Sequence, residues 1–97
     1  MSAFHLETTD QVALVRLAGE LTIEEASALQ VALRTALRLP RDLVLEPAEL
    51  GRIDVAALQV LLAAARTARS VRVAPAPAPA WTAALERYAL GAVFATT

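Results

Sequence analysis

A strand, a short turn and an apolar helix are predicted to follow one another between residues 42 and 62, and this succession limits the folds open to the chain. Residues 42–46 form a short segment with an apolar centre that Pro47 closes, as expected of a buried strand. Asp54 comes after a turn and directly before an Ala- and Leu-rich run, so its carboxylate can cap the free N–H groups of a helix start. The helix dipole also favours an anion there. These residues predict a β–α unit with a carboxylate at its junction.

Hydrophobic periodicity and punctuating residues predict the remaining elements. Strands are expected at residues 4–8, 12–17 and 70–74, and helices at residues 22–38, 55–68 and from Pro79 to Gly91. Thr22 and Glu25 have the spacing of a capping box, with the Thr22 hydroxyl as the N-cap of the first helix. In the strand at 12–17, which Gly19 is expected to end, Val12 and Leu14 are expected to face inward, with Val15 as a further candidate. Three apolar helix stripes are predicted: Ala26, Leu29, Leu33, Ala36 and Leu37 in the first helix, Leu58, Leu61, Leu62 and Ala65 in the second, and Trp81, Ala84, Leu85 and Tyr88 in the third.

The order strand, strand, helix, strand, helix, strand, helix indicates an α/β fold. A helix between two parallel strands makes a right-handed crossover, which places helices against the sheet. We expect a mixed, mostly parallel sheet of about four to five strands with helices packed against it, including the first two helices on one side. At 97 residues the chain is expected to be a single domain, residues 1–97.

Composition narrows the range of partners. Nine basic residues, all Arg, oppose ten acidic ones, and the four aromatic residues do not interleave with a basic patch, so nucleic-acid binding is disfavoured. The charge-free run at residues 55–65 is shorter than the roughly 20 apolar residues that span a bilayer, so no direct membrane insertion is expected. The N-terminus has no basic-then-apolar leader pattern, which makes the cytoplasm the expected location.

The sequence offers little for catalysis or metal binding. The single histidine, His5, lies on a predicted strand, where a surface-facing structural role is favoured over a functional one. There is no cysteine, and no group of histidines and carboxylates has ligand spacing. The three glycines, Gly19, Gly51 and Gly91, are too dispersed for a phosphate-binding loop. We therefore expect no enzymatic activity, no metal and no cofactor.

Residues 54–58, which read Asp-Val-Ala-Ala-Leu, resemble the central motif of the STAS domain, the family that includes the anti-sigma factor antagonists. In that family the Asp is usually followed by a Ser or Thr that a partner kinase phosphorylates, then by a small residue, Gly and Leu. Residues 17–22 (Leu-Ala-Gly-Glu-Leu-Thr) resemble the family's G-E-L-D signature. Residues 77–79 and 90–91 resemble the loop before its last helix and the end of that helix. The resemblance covers about residues 17–94 and implies a STAS-like fold.

The resemblance also implies that Val55 occupies the phosphoacceptor position and that the switch atom is missing. A valine side chain cannot accept phosphate, and phosphorylation acts by adding about −1.5 to −2 charges at pH 7. A neighbour cannot easily substitute, because no Ser, Thr or Tyr occurs from Ala36 through Arg66. Ala57, in place of the usual Gly, favours helix by about 1 kcal/mol. We therefore expect a domain that cannot be phosphorylated at this site.

Two polar residues near Val55 each allow two roles. For Asp54, a helix cap worth about 1 kcal/mol is favoured over a carboxylate that reads a partner, and the two roles can coexist. For Thr22, a capping-box hydroxyl is likewise favoured over a role as the matching site residue.

The second helix is predicted to have a small, apolar outward face. Its members are Ala56, Val60, Ala63 and Ala64, with Gln59 among them. Ordinary surface alanines and a flat docking face explain this pattern equally well, and the family's use of the region for partner docking favours the second. The candidate docking residues are Thr22, Asp54, Val55, Ala56, Gln59 and Ala63.

The expected function is a non-enzymatic protein–protein interaction module of bacterial signalling. Within the family, residues 52–62 look most like stand-alone domains associated with chemotaxis and two-component clusters. The alternatives are a STAS subunit that docks on the ATPase of a lipid ABC transporter, or a domain that binds a small ligand such as a nucleotide or lipid. The expected partner is correspondingly an anti-sigma-type kinase, a chemotaxis or two-component protein, or a transporter ATPase.

Overall fold

A computed structural model describes residues 3–94, in which four strands and three helices alternate as the sequence predicts. The elements are β1 (Phe4–Thr8), β2 (Val12–Leu21), α1 (Ile23–Ala36), β3 (Asp42–Ile53), α2 (Val55–Thr67), β4 (Ser70–Val73) and α3 (Pro79–Arg87). Within this range no helix is both long and apolar enough to cross a membrane. The predicted α/β fold is confirmed.

The four strands form one mixed sheet in the order β1-β2-β3-β4. β1 runs antiparallel to β2, whereas β2, β3 and β4 are parallel to one another. The register places Leu6, Val15, Leu45 and Val73 side by side in one apolar row. Because side chains alternate across a strand, this row belongs to the face that the helices cover. The predicted pairing of the third and fourth strands in one sheet is confirmed.

The inward side of β2 differs from the prediction. Ala13, Val15 and Leu17 are buried, whereas Val12 and Leu14 are only half-buried. Residues 12–15 are all apolar, so alternation within the strand cannot distinguish its two faces. The pairing with β1 and β3 determines which of these side chains face the core.

β3 continues past Pro47, where the prediction ended it, to Ile53. β4 pairs only with residues 42–45 of β3, so no strand needs an N–H group from Pro47 on that side. Two register shifts against β2 add extra residues to β3 in this second half. α3 packs against this half of the strand, and Trp81 of α3 stacks edge-on with Phe94 at 5.1 Å between ring centroids. The long β3 therefore carries the chain directly to the start of α2.

α1 packs against β2, α2 packs against β3, and the two helices contact each other, so both lie on one side of the sheet. The predicted buried stripe of α1 is confirmed, except that Leu37 is only half-buried. α2 buries Leu58 and Leu61 as predicted, but it also buries Ala57 and Ala64, whereas the predicted Leu62 and Ala65 are only half-buried. At 100° per residue, the mean direction of the buried side chains around α2 is rotated by roughly 60° toward α1 from the predicted direction. Ala64, predicted to face outward, is buried because α2 packs on a neighbouring helix as well as on the sheet.

Asp42, the first residue of β3, is hydrogen-bonded to residues at the start of the neighbouring parallel strand β4. Its Oδ1 accepts hydrogen bonds from Arg69 Nε at 2.9 Å and from Ser70 Oγ at 2.9 Å. Arg69 also donates through Nη2 to Gln11 Oε1 at 3.0 Å. The hydrogen bond from Arg69, followed by that from Ser70, lowers the pKa of the Asp42 carboxyl. The ionised carboxylate is therefore the form that the folded state favours.

We expect Asp42→Asn to make the acid loss of stability shallower. A carboxyl whose pKa is lowered by folding stabilises the protein above its unfolded-state pKa of about 3.9, and this contribution is lost as the pH falls through the lower folded-state pKa. Urea unfolding followed between pH 2 and pH 7 measures the slope. Asp10→Asn, at an exposed aspartate with no ion pair to a described residue, is the matched control. An unchanged acid slope in Asp42→Asn would contradict the expectation.

Candidate functional site

Asp54 joins the starts of two helices. It occupies the N-cap position of α2, but its side chain makes no cap hydrogen bond to that helix. Instead, Asp54 Oδ2 accepts a hydrogen bond from the backbone N–H of Ile23, the first residue of α1, at 3.2 Å. The backbone N–H of Asp54 donates to the carbonyl of Leu21 at 3.0 Å. The prediction that the Asp54 carboxylate caps α2 is wrong, because that carboxylate serves the neighbouring helix.

Thr22 occupies the N-cap position of α1 as predicted, but its hydroxyl makes no cap hydrogen bond. The capping-box role of that hydroxyl is therefore not realised. Asp54, 31 residues away in sequence, satisfies one of the free N–H groups at the start of α1. The half-buried Thr22 lies at the junction of β2 and α1.

Exposed apolar side chains gather where α1 and α2 begin and α3 ends. Ile23 is 67% exposed, Val55 43% and Tyr88 39%, and the three line one depression of about 430 Å³. Arg52 and Arg87 line the same depression. We call Ile23, Arg52, Val55, Arg87 and Tyr88 together the helix-start surface.

The helix-start surface is cationic as well as apolar. Arg52 Nη2 lies 3.5 Å from Asp54 Oδ1, and Arg87 makes no ion pair with a described residue. The depression is thus lined by two arginines and one carboxylate, and that carboxylate also accepts a hydrogen bond from Ile23. Among residues 3–94 no group of three or more His, Cys, Asp or Glu side chains could hold a metal ion. The arrangement suits binding of an apolar group with an accompanying negative charge.

The structure distributes the predicted docking residues over different environments. Val55 lies on the helix-start surface, and the exposed Gln59 lies one turn further along α2. Ala56 is half-buried against the core and also lines the depression. Ala63 is exposed but lines a separate groove between α1 and α2. The predicted set is therefore not one continuous patch.

Four residues of the helix-start surface were not predicted from the sequence to belong to a functional site. Ile23 and Arg52 flank the predicted motifs, and an apolar residue directly after a helix cap was the available signal for Ile23. Tyr88 was predicted to belong to the apolar stripe of the third helix, but α3 ends at Arg87 and Tyr88 is exposed. No local pattern indicates that Arg87 approaches the start of α2, because that contact depends on how α3 packs.

Comparison with known proteins assigns this sequence to a family. Residues 4–94 match the family model described as "Mlab, STAS domain". A search of curated protein sequences gave no significant match.

Solved structures of anti-sigma factor antagonists share the fold. One from Mycobacterium paratuberculosis superposes with a TM-score of 0.80 at 22% identity, covering 99% of this chain and 89% of that one. Unphosphorylated SpoIIAA gives a TM-score of 0.71 at 20% identity over 87% of this chain and 82% of that one. The phosphorylated form of the Bacillus cell fate determinant SpoIIAA gives 0.74 at 19% identity, over 98% and 91% respectively.

Proposed function

Because this chain belongs to the STAS domain family, we propose that it is a non-enzymatic protein-interaction module of bacterial signalling in the cytoplasm. The observation that carries the proposal is the helix-start surface, where three exposed apolar side chains and two arginines surround the junction at Asp54 and Val55. The partner is a protein of the anti-sigma kinase, chemotaxis or two-component class.

The composition of the helix-start surface supports docking of a protein. Interface cores are depleted of acidic and lysine side chains and enriched in aromatic residues and Arg. Tyr and Arg are also among the residues whose removal most often weakens a complex. Tyr88, Arg52 and Arg87 meet this description beside the apolar Ile23 and Val55. The complementary partner surface would present apolar groups and at least one carboxylate.

Asp54 has a positioning role in this proposal. Its bond to Ile23 keeps the first turns of α1 and α2 adjacent, so that Ile23 and Val55 can contact the same partner. The docking surface extends onto α2 through Ala56 and Gln59, whereas Ala63 lines the separate groove between α1 and α2. Thr22, the N-cap residue directly before Ile23, belongs to the same junction.

Binding is proposed to be independent of phosphorylation. Val55 offers no hydroxyl, and no Ser, Thr or Tyr occurs from Ala36 through Arg66. The Tyr88 side chain is the one hydroxyl-bearing group among the residues that line the depression. The complex is therefore expected to form equally with and without prior exposure to a kinase.

We expect the mass of this protein to stay unchanged on incubation with ATP and a protein kinase of the anti-sigma type encoded beside its gene. Val55→Ser, which restores a hydroxyl at the same backbone position, is the matched variant and is expected to gain one phosphate if that kinase docks. Intact-mass spectrometry measures both results. Stoichiometric phosphorylation of the unmodified protein at any residue would overturn the constitutive part of the proposal.

Gene neighbourhood supplies the partner for a direct binding test. An anti-sigma kinase, a chemotaxis protein or a transporter ATPase encoded in the same cluster is titrated with the purified 97-residue protein by calorimetry. Saturable one-to-one binding to a kinase, chemotaxis or two-component protein, unchanged by ATP pretreatment, supports the proposal, whereas binding to the transporter ATPase alone would favour the alternative of a transporter subunit. Absence of binding to each protein of the cluster would contradict it.

A further inference from the structure

A second concave feature lies between α1 and α2, away from the helix-start surface. Its floor is formed by Leu33 of α1, by Leu37 directly after that helix, and by Val60 and Ala64 of α2, and its volume is about 380 Å³. The groove exists because α2 presents alanines to the leucines of α1, and an alanine side chain ends at Cβ. Small-molecule sites typically have volumes of about 300 to 1,000 Å³ and mostly apolar linings.

The rim of this groove is positively charged. Arg34 of α1 and Arg38, which follows the end of that helix, line it. Neither forms an ion pair or a side-chain hydrogen bond with a described residue. The acidic residues of α1, Glu24 and Glu25, lie in its first turn at the opposite end, and α2 contains no acidic residue. An anionic group would therefore meet two uncompensated guanidinium groups beside an apolar floor.

The dimensions favour a small amphiphile over a protein helix. The groove is lined on one side by α1 from Gln30 to the end of the helix at Ala36, about 9 Å at 1.5 Å per residue, and by Leu37 and Arg38 just beyond it, a length that suits an extended alkyl chain of roughly eight to ten carbons. An α-helix with its side chains is about 11 Å across, so it could place only its side chains in a groove of about 380 Å³, whereas an alkyl chain could lie within it.

We propose that the groove binds one medium-chain fatty acid. The alkyl chain lies along Leu33, Leu37, Val60 and Ala64, and the carboxylate is held by Arg34 and Arg38. This site is separate from the helix-start surface, and its occupancy does not depend on the proposed protein partner. A ligand that binds only the folded state raises the melting temperature with its concentration, so binding has a readout that requires no activity.

The test uses decanoate below its micelle concentration and the full 97-residue protein. Calorimetry is expected to show saturable one-to-one binding, accompanied by a concentration-dependent rise in melting temperature. The double variant Arg34→Gln/Arg38→Gln is expected to weaken binding at least tenfold. Arg66→Gln removes one charge from the exposed last turn of α2 outside the groove and is expected to change affinity less than twofold.

A second variant fills the groove. Ala63 is exposed on its wall, so Ala63→Trp is expected to abolish binding while keeping the fold, and Val31→Trp, at a 62% exposed position on α1, is the matched surface control. The absence of saturable decanoate binding, or equal loss in Arg66→Gln and the double variant, would overturn the proposal. Equal affinity for neutral decanol would overturn the role of the arginines. Displacement of decanoate by an acidic amphipathic peptide of higher affinity would assign the groove to a protein helix instead.

Discussion

Val55→Glu is expected to weaken the complex with the protein partner by about 2 to 5 kcal/mol, because the new carboxylate would compete for Arg52 and Arg87 and leave the partner's acidic group unpaired in the interface. In the free protein the new carboxylate would meet solvent, since Val55 is 43% exposed. It would also occupy the first residue of α2, where the helix dipole favours a negative charge by about 0.3 to 1 kcal/mol. The free energy of unfolding should therefore hold steady or rise slightly. In the complex the same charge would oppose the acidic group expected to pair with Arg52 and Arg87.

The matched control is Val31→Glu. Val31 is 62% exposed on α1 and does not line the depression, so the same change in charge and size is made outside the helix-start surface. Calorimetry with the partner from the gene cluster measures affinity, and urea unfolding measures stability for both variants. Equal weakening by the two variants would show that overall charge, rather than contact at Val55, governs binding. Unchanged affinity in Val55→Glu would place the interface elsewhere.

The sequence predicts the fold well because its signals are local and mutually consistent. The run from residue 42 to residue 67 contains a strand, a turn residue and a helix in immediate succession, and each agrees with the element beside it. The alternating order then leaves few ways to arrange the sheet. The predicted end of the third strand is wrong because the rule that a proline ends a strand is incomplete. Pro47 interrupts a strand only where a paired neighbour needs the missing N–H group, and at that point β3 is paired on one side only, beside a register shift.

The helix-start surface is harder to predict because its contacts join distant parts of the chain. Capping rules predict bonds within one helix turn, whereas the carboxylate of Asp54 reaches Ile23 in another helix. Tyr88 satisfies the periodicity of α3 but follows its last residue, and the chain then turns through Ala89 at a φ of 54°. Periodicity assigns a side chain to a face only while the helix continues. Val55 was singled out because residues 54–58 resemble the central motif of the family, a resemblance that is local in the sequence.

Leu58→Ala is expected to lower the free energy of unfolding by about 2 to 5 kcal/mol, the range for a buried leucine whose removal leaves a cavity. Leu58 is 1% exposed and belongs to the same core cluster as Leu21 and Leu29. For a domain of this size each kcal/mol lowers the melting temperature by about 4 to 8 °C. The lost packing is also expected to loosen the start of α2 beside the helix-start surface. In its first turn, the backbone N–H of Leu58 donates to the carbonyl of Asp54 at 3.0 Å.

Urea unfolding of Leu58→Ala beside Leu39→Ala separates burial from residue type. Leu39 is 55% exposed, so the same truncation there should change stability by no more than about 0.5 kcal/mol. A lower midpoint with an unchanged slope would show that Leu58→Ala destabilises the native packing without altering the unfolded chain. Similar midpoints for the two variants would contradict the burial of Leu58. If α2 is anchored through Leu58, hydrogen exchange of the backbone N–H groups of Ile23 and Leu58 should accelerate together in this variant, because both groups donate to Asp54.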